Sequence, residues 1–111
     1  MTTLLFTHSD CLDHRPGEGH PESPARLAAV AAALEEPDFA GLSRQTAPLA
    51  DRTAIARVHG TDHVERILSS VPQVGRRALD GDTILSSGSG IAALRAAGAM
   101  TAAVEIGRAH V

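Results

Sequence analysis

The sequence has no tyrosine, no tryptophan and only two phenylalanines among 111 residues. Aromatic rings usually supply much of a core's buried area. A self-contained domain this poor in them must pack on Ala, Val, Leu and Ile, so the shortage fits part of a larger domain equally well. Lysine is absent and all ten basic residues are arginine, which reads as the codon bias of a GC-rich bacterial genome. Against 13 acidic residues this leaves a net charge of −3. There is therefore no basic footprint for nucleic acid and no basic stripe for an anionic membrane. The single cysteine, Cys11, excludes an internal disulfide and gives no sign of an oxidising compartment. The opening MTTLLFTHSD has no basic n-region, and its apolar run is too short for a signal peptide. No stretch approaches the roughly 20 uninterrupted apolar residues that span a bilayer. The expected location is the cytoplasm, with neither nucleic acid nor membrane as partner.

What the chain does contain is an alternation of strand and helix signals. Thr3–Thr7 is short, β-branched and apolar, and reads as a buried strand. A Gly/Pro/His loop follows. Ser23-Pro24 is a helix start, with serine as cap and proline at the first helical position. Leu27, Val30, Ala31 and Leu34 share one face of that helix, which is expected to run to about Glu36 and stop at Pro37. Leu42 to Ala47 reads as a second strand. Asp51 caps a short helix carrying Ile55 and Val58, and Gly60-Thr61 restarts another that carries Val64, Ile67, Leu68 and Val71. Residues 76–82 read as polar turn, residues 86–90 as a turn into a long alanine-rich helix from Ile91 to about Glu105. Its small residues suggest burial against a sheet. This order indicates α/β architecture on a parallel sheet.

Cys11 to Leu27, CLDHRPGEGHPESPARL, is the densest stretch of special residues. His8, Cys11, His14 and His20 are potential zinc ligands, but their spacing matches no knuckle of close ligand pairs. A zinc-binding module of this kind predicts stoichiometric metal in the purified protein; the spacing predicts none. The alternative is a shaped loop serving a site built elsewhere.

The run H-x2-C-x2-H-x-P-G-x-G-H-P-E-x-P-x-R-L, His8 to Leu27, resembles the first loop and helix of the histone deacetylase-like amidohydrolases. That group includes class II-type deacetylases, acetylpolyamine amidohydrolases and acetoin-utilisation proteins. Two later segments resemble the same family in order: Ala56–Val64 (ARVHGTDHV), and Asp82–Ser89 (DTILSSGS) running into Ala92–Ala99. The resemblance covers residues 3–104. It implies the N-terminal part of an arginase/deacetylase-type three-layer α/β/α fold on a mostly parallel sheet. It also implies zinc-dependent hydrolysis of an N-acyl amide, acetyl-lysine or acetylpolyamine. In that family zinc is held by two aspartates and a histidine, a His-His pair does acid/base work, and a tyrosine commonly steadies the oxyanion. The chain has no Asp-x-His, no His-His and no tyrosine, so neither catalytic residues nor metal ligands are expected in it.

Four positions carry over as substrate-channel residues. His20 and Pro21 match the loop at the rim of the acyl-lysine channel. Arg26 matches an arginine near the channel floor, beside an acetate-release cavity. Asp82 matches a rim position that accepts hydrogen bonds from the substrate backbone. Each has a plainer reading: a first-turn arginine is usually solvated, and an aspartate beside Gly81 often organises a turn. His59 and His63 are expected to be capping or surface residues, and Cys11 an unreactive thiol.

The last residues, EIGRAHV over 105–111, break the alanine pattern and resemble the translation of a sequencing-library adaptor (GAG ATC GGA AGA GCA CAC GTC). They are expected to be a non-native tail on residues 1–104, themselves an incomplete portion of a deacetylase-like domain. The functional alternative is a small non-catalytic interaction domain, which would end in a cap instead of leaving unpaired strand edges.

Overall fold

The fold is described from a computed structural model, which covers residues 2–109; the last two residues of the expected tail, 110–111, lie outside the described residues. Strand β1 (Leu4–Thr7) pairs in parallel with β2 (Ser43–Thr46), Leu4 opposite Ser43 and Thr7 opposite Thr46. The crossover between them carries a 3-10 turn at Ser9–Asp13, helix α1 (Pro24–Ala33) and a short 3-10 turn at Pro37–Phe39. Helices α2 (Arg52–His59) and α3 (Thr61–Ser69) follow, then the antiparallel pair β3 (Arg76–Ala78) and β4 (Ile84–Ser86), then helix α4 (Ser89–Ala109). The chain is mixed α/β on a parallel sheet, as the alternating signals require.

Local chemistry explains most boundaries. The Asp51 carboxylate accepts from the Thr53 N–H at 3.0 Å and so starts α2. Gly60, at φ +76°, ends α2 and begins α3. Ser23 has the extended backbone of a cap, but its hydroxyl makes no capping bond; proline at the first helical position starts α1 instead. That helix closes at Ala33, three residues short of the expected end. Glu36 is forced extended (φ −61°, ψ 151°) by Pro37, and the Glu35 and Glu36 N–H groups turn back to Ala32 and Ala33 in tighter 3-10 bonds.

Two further expectations need correction. The polar stretch after Gly75 is a strand and not only a turn, because Arg76, Arg77 and Ala78 find partners in Ser86, Leu85 and Ile84. Helix α4 begins at Ser89, and β1, expected to be buried, is half-buried. α4 packs on the Ser9–Asp13 turn and the loop after β2 rather than flat on a sheet. Ala92 and Gly98 are buried on it, while Met100 and Val104 are 67% and 53% exposed. At Gly98 a methyl group would overlap the Pro48 carbonyl, so the close approach requires glycine.

By length and composition α4 is also apolar enough to cross a membrane, contrary to the reading that no stretch comes close. Its Arg95 nevertheless pairs with Asp10, and its Leu94 carbonyl accepts from the Ala50 N–H at 2.9 Å. Those are the contacts of a helix packed within a folded unit.

The core is thin. Its buried apolar residues are Ala47, Ala50, Val64, Leu85 and Ala92, three of them alanine. The chain forms a slab of 42 × 33 × 20 Å with a radius of gyration of 15.5 Å, where a compact domain of this length measures about 13 Å.

Candidate functional site

The loop from Asp13 to Glu22 is stitched to the β3–β4 hairpin by bonds between residues far apart in sequence. The Arg15 N–H donates to Ser86 Oγ at 2.9 Å, and that hydroxyl lies 3.2 Å from the Asp13 carbonyl. Arg76 Nε donates to the Arg15 carbonyl at 3.0 Å. His20 Nε2 donates to the Asp82 carbonyl at 2.8 Å. At Gly88, where the hairpin enters α4, a Cβ would sit 2.5 Å from the Asp13 carbonyl oxygen. Loop, hairpin and helix start therefore form one unit.

Between loop and hairpin lies a cleft of about 470 Å³ whose lining includes Pro16, Glu18, His20, Pro21, Glu22 and Asp82. Three of the four expected channel residues thus share one cleft, although Pro21 and Asp82 lie 61 positions apart in the chain. Arg26 does not join them. It is exposed on the first turn of α1 and lines a second cleft, of about 360 Å³, with Cys11, His14 and Leu27. Glu22 borders both clefts.

The His20 ring is fixed at both nitrogens. Nε2 donates to Asp82 and Nδ1 accepts from the Glu22 N–H at 3.1 Å, which puts the ring proton on Nε2. Asp82 does not organise its turn; Asp80 does. One Asp80 oxygen accepts from the N–H groups of Asp82 and Thr83, each at 2.8 Å. The Asp82 N–H first, then that of Thr83, holds the Asp80 carboxyl below the ordinary aspartate range. Among the described residues, the Asp82 carboxylate itself has no hydrogen-bond or ion partner.

Sequence reasoning missed Asp80, although Asp-Gly two residues ahead of a turn amide is an Asx-turn signal. It weighed His14 only as a potential zinc ligand and missed its contacts with Ser89 and Glu22. With a neutral ring, His14 Nε2 donates to Glu22 at 3.0 Å and Nδ1 accepts from Ser89 Oγ at 2.6 Å. The Ser–His–Glu order suggests a nucleophile, but Ser89 is 5% exposed and its oxygen already accepts from the Ser86 N–H at 2.8 Å. Ser89 lines neither adjoining cleft, so the chain of bonds braces the loop against α4. Cys11 is half-buried; burial, reinforced by Asp10 and opposed by Arg95, raises its thiol above the ordinary range. The His59 and His63 rings are exposed and lie 5.6 Å apart, tilted across the α2–α3 junction.

A model of the histone deacetylase domain matches residues 20–107. The chain belongs to the histone deacetylase family. All four expected channel residues fall inside the matched segment, which starts at His20 and runs through Arg26 and Asp82 into α4. No curated protein matches the chain. Membership places the chain in a deacetylase lineage, and metal use in full-length members follows from it. The residues of this chain do not fit that metal: among the described residues no three His, Cys, Asp or Glu side chains converge on a point that could hold an ion. His8 is turned to its own turn, accepting from the Asp10 N–H, while His14 and His20 spend their nitrogens on Ser89, Glu22 and Asp82.

Proposed function

We propose that this chain is one wall of the substrate entrance in a zinc-dependent deacetylase acting on N-acyl amides of the acetyl-lysine or acetylpolyamine type. The observation that carries the reading is the cleft in which His20, Pro21 and Asp82 meet, clamped by the His20–Asp82 bond. Asp82 offers a carboxylate at the rim that no described protein group uses, suited to accept N–H groups of a bound substrate. Pro21 and the His20 ring give the facing side a rigid, partly apolar edge. Arg26, unpaired among the described residues, serves a separate compartment, where a guanidinium suits a departing carboxylate. The hydrolytic step belongs to groups that this sequence does not contain, and no step is assigned to its own residues beyond binding and orientation. A net charge of −3 supports a role without nucleic acid as partner.

The test uses the intact protein that carries this chain, assayed on an N-acetyl-lysine peptide and an N-acetylpolyamine. Asp82→Ala removes charge-assisted hydrogen bonds worth about 1.5–3 kcal/mol, so kcat/KM should fall roughly tenfold to a hundredfold with stability barely changed. The loss should be larger on the peptide, which presents backbone N–H groups at the rim. Hydrolysis of neither substrate, or unchanged kinetics in the variant, would overturn the reading.

A further inference from the structure

Asp82 is held from both sides through its backbone. Its N–H is bound by Asp80 at 2.8 Å and its carbonyl by His20 Nε2 at 2.8 Å. The next peptide is fixed too, because the Thr83 N–H shares the Asp80 oxygen and the Thr83 carbonyl accepts from the Leu79 N–H at 2.8 Å. Both peptide planes flanking the Asp82 Cα are therefore tied down, and only the side-chain torsions remain free.

We propose that Asp80 and His20 are positioning residues that set where the Asp82 carboxylate meets the substrate. The inference rests on the function proposed above, because it presumes that Asp82 is the rim acceptor. Asp80 is exposed and is not among the residues lining the cleft, so it reaches a ligand only through Asp82. His20 acts from the opposite wall, and its own orientation is locked by the Glu22 N–H at Nδ1. A carboxylate on an untethered turn would have to be ordered by each incoming substrate; one on a clamped turn is already ordered, and binding is stronger by that difference.

A double-mutant cycle in the intact protein tests this, with the N-acetyl-lysine peptide as substrate. Asp80→Ala should raise KM with kcat little changed, lowering kcat/KM about three- to tenfold. Amide hydrogen exchange at Asp82 and Thr83 should quicken. Asp80→Asn keeps an accepting side-chain oxygen and should restore most of the loss, as should His20→Gln relative to His20→Ala. In the Asp82→Ala background the Asp80 substitution should cost nothing further, because the group it positions is gone, whereas a His20 substitution keeps only the part of its cost that comes from its own place in the cleft wall. Equal losses in both backgrounds would make Asp80 a general structural residue and overturn the inference. An Asp82→Ala variant with wild-type kinetics would overturn the functional reading, and this inference with it.

Discussion

Arg95 and Asp10, 85 positions apart, form an ion pair at 3.0 Å that ties the middle of α4 to the turn after β1. The same guanidinium donates through a second nitrogen to the Ala47 carbonyl at 3.0 Å, so one side chain joins a helix, a turn and the end of β2. The pair is only about a quarter exposed, with Arg95 at 21% and Asp10 at 29%. Removing one partner therefore leaves a poorly solvated charge or carbonyl behind. Arg95→Ala in the intact protein should cost about 2–3 kcal/mol, and Asp10→Asn less, since the bond to Ala47 survives. Denaturant unfolding of both variants measures this; equal and negligible losses would show the pair to be solvent-screened.

The close approach at Gly98 sets a second expectation. A methyl there overlaps the Pro48 carbonyl and would also lie 2.9 Å from the backbone nitrogen of the buried Ala50. α4 would have to shift, so Gly98→Ala should destabilise the intact protein by about 1–3 kcal/mol. Gly41→Ala, where nothing lies within 4 Å, is the control and should be neutral or slightly stabilising. A neutral Gly98→Ala would mean the helix packs elsewhere.

The 111-residue chain on its own should be loosely folded. Leu27, Val30 and Ile91 are 40%, 51% and 45% exposed, and among the described residues no large side chain is fully buried. Such apolar faces bind dyes and one another. Strong binding of a hydrophobic dye and a broad thermal transition are expected, with no deacetylase activity. A sharp cooperative melt from a monodisperse monomer is the contrary result.

Asp80 gives a pH signature. Its carboxyl lies below the ordinary 3.8 in the folded turn, so the turn's bonds are intact above that value and are lost only as pH falls through the lower, folded one. In an NMR titration the Asp82 and Thr83 amide shifts should move together with a midpoint below 3.8. Asp80→Asn should abolish that movement. A midpoint at or above the ordinary value would contradict the bonding.

Cys11 should react slowly. With its thiol raised above 9.0, first by burial and then by Asp10, little thiolate exists near neutrality. Alkylation by iodoacetamide at neutral pH should be slower in the folded intact protein than after denaturation; the opposite order would mark an activated thiol.

Much of this was legible in the residues because it depends on short-range chemistry. Pro24 and Pro37 bracket α1, Asp51 caps α2, Gly60 divides α2 from α3, and the ordered motifs around His20, His59 and Asp82 carried the family resemblance before any coordinates. What sequence could not give were relationships whose partners lie far apart along the chain. Residues 76–78 are too polar and too few to announce a strand, and become one because residues 84–86 lie alongside them. The clamp of His20 on Asp82, the bond from Arg76 to the Arg15 carbonyl and the overlap that keeps Gly98 a glycine all join distant segments. Local propensity fixes where helices begin and end, because those signals act within a turn or two. Which loop meets which hairpin, and therefore that Asp82 shares a cleft with His20 while Arg26 faces another, is decided only when the chain closes on itself.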